Sequence, residues 1–251
     1  MNINKLLKIS TLAGQILLES GAETYRVEET IIKICTAFGA HNTESFVIPT
    51  GIISTVTYED NVSTLVVRIK YRGVDLNKID KINDLSRKLQ NSLITLEELD
   101  DELKKINNSF QYSFFVNILF SFLITGSFSV LFGGNMHDFL CAGLIGPVIK
   151  IVTHVCTYLS INEFFINALS GAITALLAFI LVKFNIGHNL DMIIIGSIML
   201  LVPGLTITNA IRDTIAGDIL SGLAKAAEAF LIAVSIAAGT GGVLSVLLSN
   251  L

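Results

Sequence analysis

Residues 109–251 of this 251-residue chain carry only ten charged side chains, four basic and six acidic, over 143 positions. Their apolar runs are roughly twenty residues long, the length needed to cross a hydrocarbon layer about 30 Å thick. Such a segment belongs in a bilayer. Residues 1–108 hold 13 of the 17 Lys+Arg and 15 of the 21 Asp+Glu. The whole chain is 52% hydrophobic and 15% charged, with a mean hydropathy of +0.68, whereas soluble domains are about a quarter charged.

The charge pattern excludes other classes. The net charge is −4 and no Lys/Arg stripe marks a nucleic-acid surface. Cys35, Cys141 and Cys156 show no C-x-x-C spacing, so they read as small apolar fillers. No Ser/His/Asp order, metal-ligand spacing or phosphate loop is present, so no catalytic residue, metal or cofactor is expected. Met1–Gly21 has apolar residues at helical spacing interrupted by Lys5, Lys8 and Glu19, an amphipathic helix rather than a secretory signal. The N-terminal part is therefore expected in the cytoplasm, and Lys104 and Lys105 before the first span agree with the positive-inside rule. Lys183 would fall outside, against it.

Within 1–108 the pattern predicts helices over 4–20 and 22–38. Val/Ile/Thr-rich strands follow at 44–48, 52–58 and 64–71, with turns at Pro49-Thr-Gly51 and Glu59-Asp-Asn61. Asp75 caps a helix reaching about Asn91, and Thr95-x-x-Glu98 is a capping box for a short helix ending near Asn107. Polar punctuation divides the rest into spans at about 112–132, 139–159, 163–182, 190–209 and 218–238. Gly239-Thr-Gly-Gly242 is read as interrupting the last one before a further stretch to 249. The expected fold is thus an α+β cytosolic N-terminal domain, 1–108, followed by an all-α membrane domain, 109–251, of about five transmembrane helices. An odd number of spans is typical of one unit of an inverted pair. A second five-span subunit, or a homo-oligomer, would supply the other half.

Charged groups inside a bilayer cost roughly 2.5–3.5 kcal/mol each on insertion scales. Pro203-Gly204 breaks the fourth span and is followed by Thr206, Thr208 and Asn209, polar groups that need cover by protein or water. Arg212 and Asp213 then lie in the expected connection. Asp218, Ser221, Lys225 and Glu228 fall within about an 80° arc of one helix. This stripe is the candidate site for substrate binding or proton coupling; a purely structural Lys225–Glu228 pair is the plainer reading. Lys150 and His154, one turn apart, and Glu23 and Arg26 are secondary candidates, each with a bland alternative as a surface-seeking or solvated group.

Several stretches resemble the threonine/serine exporter (ThrE) family. They are Gly21-Ala-Glu-Thr-Tyr-Arg-Val-Glu-Glu-Thr30, Pro49-Thr-Gly51 and Arg72-Gly-Val-Asp75. Two more are Pro203-Gly-Leu-Thr-Ile-Thr-Asn-Ala-Ile-Arg-Asp213 and Gly217-Asp-Ile-Leu-Ser-Gly-Leu-Ala224. The family has a fused form of ten spans with a cytosolic domain and a split form in two polypeptides. This chain resembles the larger subunit of the split form, the YjjP type. The resemblance implies export of threonine, serine or dicarboxylates such as succinate across the cytoplasmic membrane. A zwitterion would need a cation, Arg212 or Lys225, and a carboxylate, Asp213, Asp218 or Glu228. A dicarboxylate would prefer two cations, with Lys150 as a third choice. A membrane-anchored enzyme and a non-transporting assembly protein are the rival readings.

Overall fold

The structure, a computed structural model, describes residues 2–58, 61–89, 94–109 and 112–249. The elements are, in order, α1 (Ile3–Glu19), α2 (Thr24–Ala37), β1 (Asn42–Ile48), β2 (Gly51–Tyr58), β3 (Asn61–Arg68), α3 (Leu76–Leu89), α4 (Leu96–Asn107), α5 (Phe114–Leu131), α6 (Met136–Tyr158), α7 (Glu163–Lys183), α8 (Leu190–Ile198), α9 (Gly204–Ala216) and α10 (Ile219–Leu248). They form two compact units. The first joins Met1–Phe110 to Leu205–Ala227; the second joins Gln111–Gly204 to Glu228–Leu251.

In the first unit, α1 is capped by the Asn2 side chain, which accepts from the Lys5 N–H. Its buried face, with Leu6, Ile16 and Leu17, meets Val27, Ile31 and Ile34 of α2 and Ile52 and Val56 of the sheet in one core. The sheet is an antiparallel meander, β1-β2-β3, with Ile48 opposite Gly51 and Ile52 opposite Val67. Asp75 accepts from the Lys78 N–H at 3.0 Å to start α3. Thr95 and Glu98 form the capping box of α4. Of the expected features, Glu59 and Asp60 of the second turn and Asn91 at a helix end lie outside the described residues.

The expected architecture needs correction. Among the described residues there are ten helices and one small sheet, and four helices, not five, are long and apolar enough to cross a membrane: α5, α6, α7 and α10. The expected fourth span, 190–209, is not one helix. Proline cannot donate a backbone hydrogen bond, and α8 ends before Pro203 while α9 starts after it. The nine residues of α8 rise only about 14 Å, too little for a bilayer core. Arg212 and Asp213 lie inside α9, not in a connection, and the polar face of α9 finds its partners in the first unit. The division into an N-terminal α+β domain followed by a membrane domain therefore fails at 205–227, which returns to the N-terminal residues.

The expected break at Gly239 is also absent: α10 is continuous from Ile219 to Leu248. A Cβ at Gly239 would overlap the backbone of Ala168, so this glycine serves the close approach of α7 and α10. The second unit has its core in Cys141, Ile145 and Ile149 of α6, Ala175 and Ala178 of α7, and Ile193 and Ile194 of α8. The Thr125 hydroxyl ties α5 to α6 by donating to the Ala142 carbonyl at 2.7 Å. Asp138, fully buried, accepts from the N–H groups of Asn135, His188 and Asn189 and from the Asn189 side chain, at 2.8–3.0 Å.

Candidate functional site

The site lies wholly in the first unit, where α1 hands over to α2. Gly21 has φ +88°, a left-handed conformation that glycine adopts without strain. It lets the chain leave α1 and start α2 three residues later. Glu23 is the N-cap of α2 but makes no side-chain cap, so the first N–H groups of the helix need another acceptor. Asp213 provides it from α9. One carboxylate oxygen accepts from the Thr24 N–H at 2.9 Å, and the other from the Thr24 hydroxyl at 3.0 Å. The positive end of the α2 dipole favours this carboxylate.

Asp213 is fully buried, and so, at 5% exposure, is Lys225. Their ion pair is 2.7 Å long, and the Lys225 ammonium also faces the Thr24 hydroxyl at 3.4 Å and the Ala22 carbonyl at 3.5 Å. A second pair runs alongside: Arg212 donates to Glu23 at 2.5 Å, and the other Glu23 oxygen lies 3.4 Å from Arg26. The Asn209 side chain donates to the Gly21 carbonyl at 2.8 Å. The Ser221 hydroxyl contacts the Val47 carbonyl at 3.4 Å, and the Val47 N–H donates to Glu28 at 2.8 Å. The segment 209–225 thus binds the segment 21–28 group by group.

The carboxyls differ in character. Burial pushes Glu23 up, but bonds from its own backbone N–H and from Arg212, with the nearby Arg26 charge, hold it below the usual range. Burial pushes Glu28 up; the Val47 bond offsets part, and the charges of Asp218 and Asp213 add to the rise. Asp218 is also raised by burial and by Asp213, against the pull of Lys225.

Of the residues singled out in the sequence, Asn209, Arg212, Asp213, Asp218 and Lys225 come together, with Glu23 and Arg26. Pro203 and Gly204 mark the start of α9; Thr206 is half-buried and Thr208 exposed. Glu228, Lys150 and His154 belong to the second unit, where the His154 ring lies 4.8 Å from that of Phe114. Sequence reasoning gave no role to Thr24, Glu28 or the carbonyls of Gly21 and Ala22. Asp138 was also missed, although Asn135-x-x-Asp138 is the spacing of the capping box it forms.

Most of the residues making these contacts sit in the stretches that carry the family resemblance; Lys225 directly follows one, and Val47 lies two positions before another. The sequence profile described as "Putative threonine/serine exporter", ThrE, matches residues 8–247. The chain belongs to the threonine/serine exporter family. It is a transporter family, and the four long apolar helices make this member a multi-pass membrane protein. Over 231 residues the chain is 23% identical to the "Probable succinate transporter subunit YjjP" of Klebsiella aerogenes, covering 89% of this chain and 86% of that protein. It is 24% identical to the "Threonine/serine exporter" of Corynebacterium glutamicum, covering 94% of this chain but 50% of that one. It is 17% identical to the "Probable threonine/serine exporter" of Mycobacterium tuberculosis, covering 46% of it. The chain therefore spans about half the length of these two family exporters and most of the transporter subunit. No solved structure matches it.

Proposed function

We propose that this family member is one subunit of a secondary exporter of small carboxylate-bearing metabolites, either threonine/serine-type amino acids or dicarboxylates such as succinate. It works with a second membrane subunit, residues 1–108 lie on the cytoplasmic side, and outward transport is coupled to protons. The observation that carries this reading is the setting of the Asp213 carboxylate. A helix N–H, a hydroxyl and a buried ammonium converge on it, an anion site filled by the protein's own side chain. A substrate carboxylate has the same chemistry and would compete with Asp213 for Thr24 and Lys225. Protonation of a nearby carboxyl would ease the exchange, and Glu28 and Asp218, with raised pKa values, are the groups to take that proton. For an amino acid, Glu23 or Asp218 would receive the ammonium group. For a dicarboxylate, Arg212 would clamp the second carboxylate with its planar fork.

A partner is supported by length, since the chain covers half of two exporters and nearly all of one transporter subunit. The test is efflux of labelled threonine, serine and succinate from preloaded cells that lack their own exporters. Efflux only when a candidate partner is co-expressed is the expected outcome. Efflux from the chain alone replaces the partner with a homo-oligomer. With both proteins in the membrane, absence of efflux of all three substrates overturns the reading.

A further inference from the structure

A groove of about 690 Å³ lies in the first unit, away from the Asp213 cluster, between α1, β3 and α4. Most of its wall is apolar, with Leu12, Leu65 and Val67 among the lining residues. Thr11 also lines it. This residue is 1% exposed, and its hydroxyl is buried without a hydrogen-bond partner. Helical threonines often settle such a hydroxyl on the carbonyl one turn back; here it is left open, and a buried unmade hydrogen bond is costly. Lys8 lines the groove one turn before Thr11, on the same face of α1. The two other lysines of the groove are neutralised, Lys5 by Glu97 and Lys104 by Asp100. Lys8 has no carboxylate partner among the described residues.

An apolar trough of this size with a few convergent polar groups is the usual make-up of a small-molecule site. We propose that the groove binds a small amphipathic monocarboxylate, as a site separate from the transport cluster. The apolar body lies on Leu12, Leu65 and Val67, the carboxylate pairs with Lys8, and the Thr11 hydroxyl gains its missing partner on the ligand. One uncompensated cation in a mostly apolar wall matches a single charge on a hydrocarbon body better than a phosphate ester. No residue of the groove belongs to the Asp213 cluster, so the inference does not depend on the transport reading.

The test uses full-length protein in lipid nanodiscs with hexanoate as the probe, empty nanodiscs as the blank and saturation-transfer NMR as the readout. Saturable binding is expected. Lys8→Gln should weaken it at least tenfold, and Thr11→Val several-fold while the melting temperature stays level or rises, because the orphan hydroxyl is gone. Arg212→Gln should bind as the wild type does. Hexylamine, with the same body and the opposite charge, should not compete. The proposal is overturned by absence of saturable binding, by equal binding of hexylamine, or by wild-type affinity in both the Lys8 and Thr11 variants.

Discussion

Asp213 caps the helix that begins at Thr24, 189 residues earlier in the chain, by accepting from both its N–H and its hydroxyl. The carboxylate is shared with Lys225, so a helix end, a hydroxyl and an ammonium depend on one buried side chain. This makes the cluster most sensitive to removal of a single charge. Removal of both avoids an unpaired ammonium but still leaves the Thr24 N–H and hydroxyl without their acceptor.

Asp213→Asn leaves the Lys225 ammonium buried and unpaired, a change that costs about 3–5 kcal/mol. The double variant Asp213→Leu/Lys225→Met removes both charges, and such replacements are often neutral or stabilising. Thermal unfolding in detergent should therefore show a large loss for the single variant and a partial recovery for the double, the remainder being the lost acceptor of Thr24. Transport should be lost in both. A double variant that transports normally would remove the cluster from the mechanism.

Glu28 and Asp218 have folded-state pKa values above their ordinary ones. The folded state then holds these protons more tightly than the unfolded state. Stability falls as the pH rises from the ordinary carboxyl value through the raised one, and the penalty is complete above it. Glu28→Gln keeps an acceptor for the Val47 N–H and removes the charge. It should be more stable than wild type at neutral pH, with the two unfolding midpoints converging as the pH is lowered through the window.

Glu23 behaves in the opposite sense, because its folded pKa is depressed. Its contribution is present above the ordinary glutamate value and is lost as the pH falls through the depressed one. Glu23→Gln should consequently lower the unfolding midpoint at pH 7 and matter little in strong acid. An equal effect at both ends of the range would assign the loss to packing instead of charge.

Gly239 and Gly241 provide a matched contrast in α10. A Cβ at Gly239 meets the Ala168 backbone, which cannot yield as a flexible side chain can, while a Cβ at Gly241 meets nothing within 4 Å. Gly239→Ala should cost at least about 1–3 kcal/mol as an overpacked contact. Gly241→Ala should be neutral or slightly stabilising, since alanine is the better helix former. The monodisperse fraction after detergent extraction distinguishes them.

Asp138→Ala removes the acceptor for three backbone N–H groups and one amide. The donors belong to exposed residues and can turn to water, so each lost bond to the charged acceptor costs at most about 1.5–3 kcal/mol. Hydrogen exchange at His188 and Asn189 should rise sharply, while Asp138→Asn, which keeps one oxygen, should fall between the two.

Local rules written in short stretches are legible in the amino-acid sequence itself. Charge depletion over 109–251 marks the membrane part. The Thr95–Glu98 capping box and the Pro49–Gly51 turn fix their elements, because both act within four residues. The same local reasoning puts Asp218, Ser221, Lys225 and Glu228 on one helix arc by helical spacing, and Arg212 and Asp213 in a connection. The pairing of Asp213 with Lys225 is a contact between α9 and α10 that spacing along one helix does not give. Local reasoning also mistakes their surroundings: a hydropathy window averages over polar residues that have partners elsewhere, so 190–209 reads as a single span. Only the tertiary structure decided that α9 and the start of α10 return to the N-terminal residues. That outcome rests on matching an uncapped helix N-terminus at Thr24 with a buried carboxylate at Asp213. Neither group carries any sign of the other in its own neighbourhood, because a hydrogen bond constrains position in space and leaves separation along the chain free.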